Sequence, residues 1–238
     1  MFKRIFCSFI LIVVFFNPLN CCASFGNALE LYNNGQYEDS LNLFQNQIES
    51  SGLTGELAFN LGNCFYKLEK YGHSYLWYKK AQKYLFFDPD LKFNMDACLE
   101  KLSINDQEQN FLTDKIFFLR QYLPENFINI LSVIVFGVFL FLILFRKKFI
   151  GLKIVSGFLS FYLILTCINY YLECNVYKKA VVVKKSIVYS AHSEKASILF
   201  SLPQGSIVKI DRCTNGFCKI LTPKGLPGWV IDSSIGII

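Results

Sequence analysis

The chain has 238 residues, of which 53% are hydrophobic, 17% aromatic and only 18% charged. Soluble globular domains carry about a quarter charged residues, so this composition points at membrane segments, and the length leaves no room for a large multi-domain enzyme. The formal charge of +6 is concentrated in Lys3, Arg4 and the short stretch holding Arg146, Lys147, Lys148 and Lys153, and the remainder holds 18 basic and 18 acidic residues. A balanced remainder offers no field for phosphate backbones, so nucleic acid is not an expected partner.

Residues 1–23 have the layout of a secretory signal peptide: a basic start at Met1–Arg4, an uncharged run Ile5–Phe16, then small residues ending in Ala23 and Ser24. Cleavage after Ala23 or Ser24 fits the small-residue rule. Leu19-Asn20-Cys21-Cys22 offers a rival reading as a degenerate lipobox with Cys22 lipidated, which Asn20 fits less well.

Residues 24–110 repeat with a period of 34. Tyr37 matches Tyr71, Ser40 matches Ser74, Ala28 aligns with Gly62, and Phe59-Asn60-Leu61 recurs as Phe93-Asn94-Met95. The spacing predicts helices near 25–34, 38–50, 55–69, 72–86 and 90–102. Asp88-Pro89 falls three residues late for the second repeat, which predicts a lengthened fourth helix. Small residues at Ala28, Ser40, Gly62, Ser74 and Ala81 let antiparallel helices approach closely. The pattern resembles the tetratricopeptide repeat, with Leu61-Gly62-Asn63, Tyr66, Tyr71, Ser74, Tyr78 and Ala81 at that family's spacing. The resemblance implies a concave partner-binding groove lined by Phe59, Asn60, Asn63, Tyr66, Lys67, Phe93, Asn94 and Lys101.

A juxtamembrane stretch, 111–126, leads to two uncharged runs of 19 residues each, Phe127–Phe145 and Ile154–Leu172. Each covers about 28 Å as a helix, close to the hydrocarbon thickness of a bilayer, so a two-helix transmembrane hairpin is expected. The connector 146–153 carries four cations and no anion, which favours the cytoplasm, but Lys178, Lys179, Lys184 and Lys185 follow the second run, so charge alone leaves the orientation open. Export of residues 24–126 by the signal peptide agrees with a cytoplasmic connector, and both flanking modules are then periplasmic, at the inner membrane.

Residues 173–238 read as an all-β module of short Val/Ile-rich runs separated by Pro203-Gln204-Gly205, Asn215-Gly216 and Pro223-Lys224-Gly225. Five or six strands in about 60 residues is barrel-sized. Leu199, Leu202-Pro203-Gln204-Gly205, Val208 and Gly228-Trp229-Val230 resemble the bacterial SH3 domain, and Trp229 is the residue around which a recognition surface would centre. A two-residue type I′ turn at Asn215-Gly216 sets Cys213 opposite Cys218, where a disulfide is geometrically allowed. Cys64 and Cys98 take small-residue positions on successive helices and are expected to be packing residues.

By module, residues 24–110 hold 7 basic and 12 acidic residues, a balance of −5, and residues 154–238 hold 9 and 4, a balance of +5. Opposite charges on one side of a membrane predict a weak attraction that salt would loosen, against the alternative of two independently solvated modules. Neither His73 nor His192 has a neighbouring nucleophile or carboxylate, and no phosphate loop, dinucleotide fingerprint or hydrolase motif occurs. No catalytic residue, cofactor or metal site is therefore expected.

The order of modules resembles the BatE-type proteins of the Bacteroides aerotolerance family, with Phe59-Asn60-Leu61-Gly62-Asn63-Cys64-Phe65-Tyr66-Lys67-Leu68 as the most telling stretch. That resemblance implies a non-catalytic scaffold in envelope stress or oxygen tolerance. It also implies partners: membrane-anchored von Willebrand A-domain proteins and a MoxR-type ATPase. The alternative is a membrane-anchored module that binds the cell wall (peptidoglycan) through its barrel.

Overall fold

The computed structural model describes residues 18–104, 116, 125–143, 150–175 and 178–238. The basic and apolar parts of the expected signal peptide, most of the juxtamembrane stretch and the cations Arg146, Lys147 and Lys148 lie outside the described residues.

Five helices form the N-terminal module: α1 (Pro18–Asn33), α2 (Tyr37–Ser51), α3 (Gly55–Lys67), α4 (Tyr71–Gln82) and α5 (Pro89–Leu102). α1 starts earlier than the repeat predicts, with Pro18 at its first position, where the fixed φ of proline suits helix entry. Thr54 caps α3 by accepting from the Leu57 amide, and Asp88 caps α5 by accepting from the Asp90 and Leu91 amides. The 34-residue repeat has a direct physical counterpart. Ser40 Oγ donates to the Ala28 carbonyl at 2.7 Å, and its repeat partner Ser74 Oγ donates to the Gly62 carbonyl at 2.8 Å. Both serines and both small partners are buried, so each bond locks one antiparallel helix pair at close range. A Cβ at Gly62 would collide with the Tyr78 ring, which explains why the smallest residue stands there.

The expected lengthening of the fourth helix is corrected. α4 stops at Gln82, and the extra residues form a connector, 83–88. Tyr84 and Leu85 turn under the start of α3, so close to Gly55 that a Cβ there would collide with them; that contact replaces continuation of the helix.

α6 (Glu125–Ile143) and α7 (Ile150–Asn175) pack against each other. The Phe139 ring lies on Gly157, and Leu163 is buried between the pair. One helix among the described residues, over Ile150–Asn169, is long and apolar enough to cross a membrane, and the apolar part of α6, Phe127–Ile143, is shorter. Their outward faces expose Val133, Phe158 and Phe161.

The C-terminal module is one antiparallel sheet of seven strands: β1 (Lys178–Val182), β2 (Ser186–Tyr189), β3 (Ile198–Leu202), β4 (Ile207–Thr214), β5 (Phe217–Leu221), β6 (Pro227–Ile231) and β7 (Ile235–Ile237). The order is β3-β2-β6-β5-β4-β1-β7. Its core gathers Ala180, Val182, Val188, Val208, Ile220 and Val230. Asn215 (φ 53°) and Gly216 (φ 76°) are both left-handed, the requirement of a type I′ turn. Thr214 faces Phe217 and Cys213 faces Cys218. Cys213 and Cys218 are joined in a disulfide with their Cα atoms 4.0 Å apart.

The two modules share a core. Tyr75, Leu76, Ala81, Met95 and Leu99 of the helices cluster with Val181, Val183 and Ile207 of the sheet, and Leu102, Ile104 and Ile238 pack on them. Gly236 of β7 admits the tip of Leu76, since a Cβ there would collide with it. The opposite net charges of the modules are not what meets at this seam. Its core is apolar, with Lys83 Nζ donating to the Ile238 carbonyl at its rim, and Lys184 and Lys70, which both lower the basicity of His73, have the same sign.

Candidate partner-binding surfaces

The groove residues named from the repeat fall on α3 and α5, the first helices of successive hairpins. Amide spacing along α3 puts Asn60 and Asn63 on adjacent turns, with Tyr66 and Lys67 one turn further. Asn60 Nδ2 donates to the Glu56 carbonyl at 2.9 Å, so it is engaged by its own helix. Asn63 Oδ1 accepts from Tyr78 Oη at 2.8 Å and from Asn94 Nδ2 at 2.9 Å. This shared acceptor ties α3 to both α4 and α5. Burial pushes the Tyr78 hydroxyl well above the usual phenol range, which keeps it a donor to Asn63 at every physiological pH.

Phe59 stacks obliquely on Tyr78 with centroids 6.0 Å apart, and Tyr66 meets Tyr71 edge-on at 5.3 Å. Phe59 and Tyr66 also pack on the shared core. Phe93 differs: it is 73% exposed on α5. Lys67 and Lys101 are exposed as well. The arrangement therefore has a floor of mutually bonded and packed groups (Phe59, Asn63, Tyr66, Asn94) and exposed groups (Phe93, Lys67, Lys101). It offers contact area and cations, with no nucleophile or acid–base pair among these residues.

Cys64, Cys98 and His73 are packed against neighbouring groups. Burial pushes the Cys98 thiol up to about 11, and it donates to the Tyr71 carbonyl. Burial also raises Cys64, whose Sγ lies 3.5 Å from Ser40 Oγ. Such thiols are poor nucleophiles. His73 stacks on Phe65 with centroids 5.3 Å apart. Burial lowers its basicity first, and the nearby Lys184 and Lys70 lower it further.

On the barrel, the register collects a second surface around Trp229. Arg212 pairs with Lys219, Lys219 with Trp229, and Trp229 with Tyr189, so four adjacent strands carry these residues in one row. A register shift between Ile210 and Arg212 re-aims the end of β4. The Arg212 guanidinium carbon sits 5.8 Å from the Trp229 centroid, and the His192 ring lies 5.3 Å from it. In the next row Phe217 faces Thr214 and Ile231, and it meets Tyr189 edge-on at 6.1 Å. Lys219 also pairs with Asp211 at 3.5 Å. The result is an aromatic face flanked by cations, on the opposite side of the sheet from the buried Cys218, Ile220 and Val230.

Residues 184–235 match the bacterial SH3 domain family. No curated protein matches the chain. The SH3 domain thus accounts for β2 to β6 and the start of β7, and its closing strand carries Trp229. Sequence reading found Trp229 and missed its neighbours Arg212, His192, Lys219 and Phe217. The alternation Arg212, Thr214 on β4 and Phe217, Lys219 on β5, reflected through Asn215-Gly216, is the signal that could have gathered them. Among the described residues, no group of three or more His, Cys, Asp or Glu is placed to hold a metal.

Proposed function

We propose that the chain is a non-catalytic scaffold of the bacterial inner membrane. Its tetratricopeptide-type groove and its SH3 domain both stand on the periplasmic side. The observation that carries this reading is the shared core of the two modules. They lie on either side of the apolar helices in sequence, yet they touch, so the chain between Ile104 and Lys178 begins and ends on one face of any bilayer. If α7 crosses, a second crossing has to precede it, and α6 is an apolar helix among the described residues of that interval. The outward apolar faces of both helices support lipid as their surroundings. A shared core also makes the groove and the SH3 domain one presenting unit, which suits holding two segments of an envelope assembly in fixed relation.

By resemblance to the Bacteroides aerotolerance family, the partners are von Willebrand A-domain membrane proteins and a MoxR-type ATPase system, and the process is envelope stress or aerotolerance. The test is affinity purification from membranes with the intact chain and with Phe93→Ser and Lys101→Glu variants. Loss of the same membrane partners from both variants is the expected result. Partner recovery unchanged by both, with the variants folded, refutes the groove.

A second reading is a membrane-anchored cell-wall binding module. It is favoured by the bacterial SH3 match and by the aromatic face at Trp229. Retention of the chain on purified peptidoglycan, lost with Trp229→Ala, would support it over the scaffold.

A further inference from the structure

α7 arrives at one end of β1, which gives the docked unit a near end and a far end. α7 ends at Asn175, touches β1, and β1 starts at Lys178. β4 runs antiparallel to β1, with Ile210 opposite Lys178. Everything in β4 beyond Ile210 therefore projects past the start of β1, back toward the helix: Arg212, the disulfide and the Asn215-Gly216 tip, about 13 Å of strand. The row Arg212–Lys219–Trp229 and the following row with Phe217 lie on this projection.

The helical module is oriented the same way. The start of α4 is at the far end of β1, because Gly72 abuts Gln204 and the Val183 carbonyl. The residue after α4, Lys83, reaches the near end. Its Nζ donates to the Ile238 carbonyl at 3.1 Å, and the Ile238 amide donates to the carbonyl of Lys179. The connector that follows carries Tyr84, 53% exposed, and Phe87, 70% exposed. Aromatics from two unrelated segments, exposed at Tyr84 and Phe87 and half-buried at Trp229 and Phe217, thus gather at the end where the apolar helix enters.

Charge follows the same distribution. Lys83, Lys178, Lys179, Arg212 and Lys219 are on this end. Carboxylates are present here too: Asp211 is paired with Lys219, Asp88 accepts two amides as a helix cap, and Glu56, Asp90 and Asp232 are exposed, so the cations concentrate on the barrel side, at Lys178, Lys179, Arg212 and Lys219. Aromatic rings with long cationic side chains are the composition of a membrane–water interface.

We propose that this end of the docked unit rests in the headgroup layer of the anionic bilayer crossed by α7, with Trp229, Phe217, Tyr84 and Phe87 at the interface and Arg212 and Lys219 on lipid phosphates. The inference rests on the membrane reading above. It differs from the cell-wall reading in giving the Trp229 face to lipid, leaving the groove on α3 and α5 for protein partners.

The test uses the full chain with Trp77→Phe, which leaves Trp229 as the single remaining tryptophan of two. The chain is reconstituted into nanodiscs of phosphatidylglycerol and phosphatidylcholine, with and without a headgroup-level spin label. Co-migration with the discs reads membrane insertion separately from docking. The expected result is quenching of Trp229 emission by the spin label. The ratio of docked to undocked molecules should fall about fivefold for each of Arg212→Gln and Lys219→Gln, the worth of one cation at an anionic surface. If Trp77→Phe fails to fold, the same quantity is the quenching lost between the wild type and Trp229→Phe. Trp229 that stays unquenched in a chain that co-migrates overturns the lipid docking alone, and a chain that fails to insert overturns both readings. Trp229 emission that ignores the spin label but responds saturably to soluble peptidoglycan fragments also overturns it, in favour of a wall ligand.

Discussion

The seam between the helical module and the SH3 domain should hold in salt that abolishes surface electrostatics. At molar ionic strength the screening length falls to about 3 Å, so attraction between modules of opposite net charge vanishes. Exposed ion pairs contribute about 0–1 kcal/mol even without screening, whereas burial of one leucine side chain contributes about 1.5–3 kcal/mol. Leu76, Leu102, Ile104, Val181, Val183 and Ile207 all take part in this core, so the apolar contribution dominates by a wide margin. Leu76 is 7% exposed and its tip fills the space left by Gly236. Leu76→Ala should therefore cost about 2–5 kcal/mol, shared between the helices and the seam. Spin labels at Glu69→Cys and Lys185→Cys, exposed positions on either side, read the geometry by pulsed paramagnetic resonance in the reconstituted chain. One narrow distance distribution is expected at both low and molar salt, broadened by Leu76→Ala. A distribution that broadens in molar salt and ignores Leu76→Ala would refute the reasoning and restore docking by net charge.

Acid should loosen the same seam. His73 is less basic when folded than when unfolded, through burial and then Lys184 and Lys70, so the unfolded or undocked state binds the proton more readily. Stability is complete above the ordinary histidine value of about 6.5 and declines as pH falls toward the lowered folded value; His73→Gln should flatten the dependence of the thermal midpoint below that point. Gly62→Ala should destabilise the helical module by about 1–3 kcal/mol, because the buried Tyr78 ring has nowhere to move, as read by thermal melting. Asn63→Ala strands the Tyr78 hydroxyl and should cost about 1–3 kcal/mol, while Asn94→Ala, which leaves that bond intact, should cost less. Reducing the Cys213–Cys218 bridge opens a loop of six residues and should lower barrel stability by about 2 kcal/mol on the chain-entropy estimate; equal melting of oxidised and reduced protein would contradict this.

Local chemistry was legible where it is decided locally. Asn215-Gly216 fixed a hairpin register, and the register fixed which cysteines face each other. The repeated Ser40 and Ser74 marked the helix pairs because a small hydroxyl and a small partner are needed at the same offset. The seam was not legible: Leu76 and Val183 have the burial of ordinary core residues, and nothing in an apolar residue's identity names a partner a hundred positions away. The groove was legible as a set of positions but not as a set of roles. Asn63 reads as a hydrogen-bonding group offered to a ligand, and its oxygen proves to be occupied by Tyr78 and Asn94. The end of α4 was misjudged for a related reason. Helical spacing persists through Tyr84 and Leu85, and only the presence of Gly55 beneath them gives the chain a better place to turn.

The sheet edge formed by β1 and β7 lies beside α4, where the second helix of a further hairpin would otherwise stack. The barrel therefore closes the array in place of a helix, and it is made only after the ribosome has passed both apolar helices. Until then Leu76, Leu102 and Ile104 face solvent on a nascent module that cannot finish its own final layer. Folding of the N-terminal module thus waits on synthesis of the sheet, and a truncation after α7 should leave a sticky, protease-sensitive stump rather than a free-standing helical module.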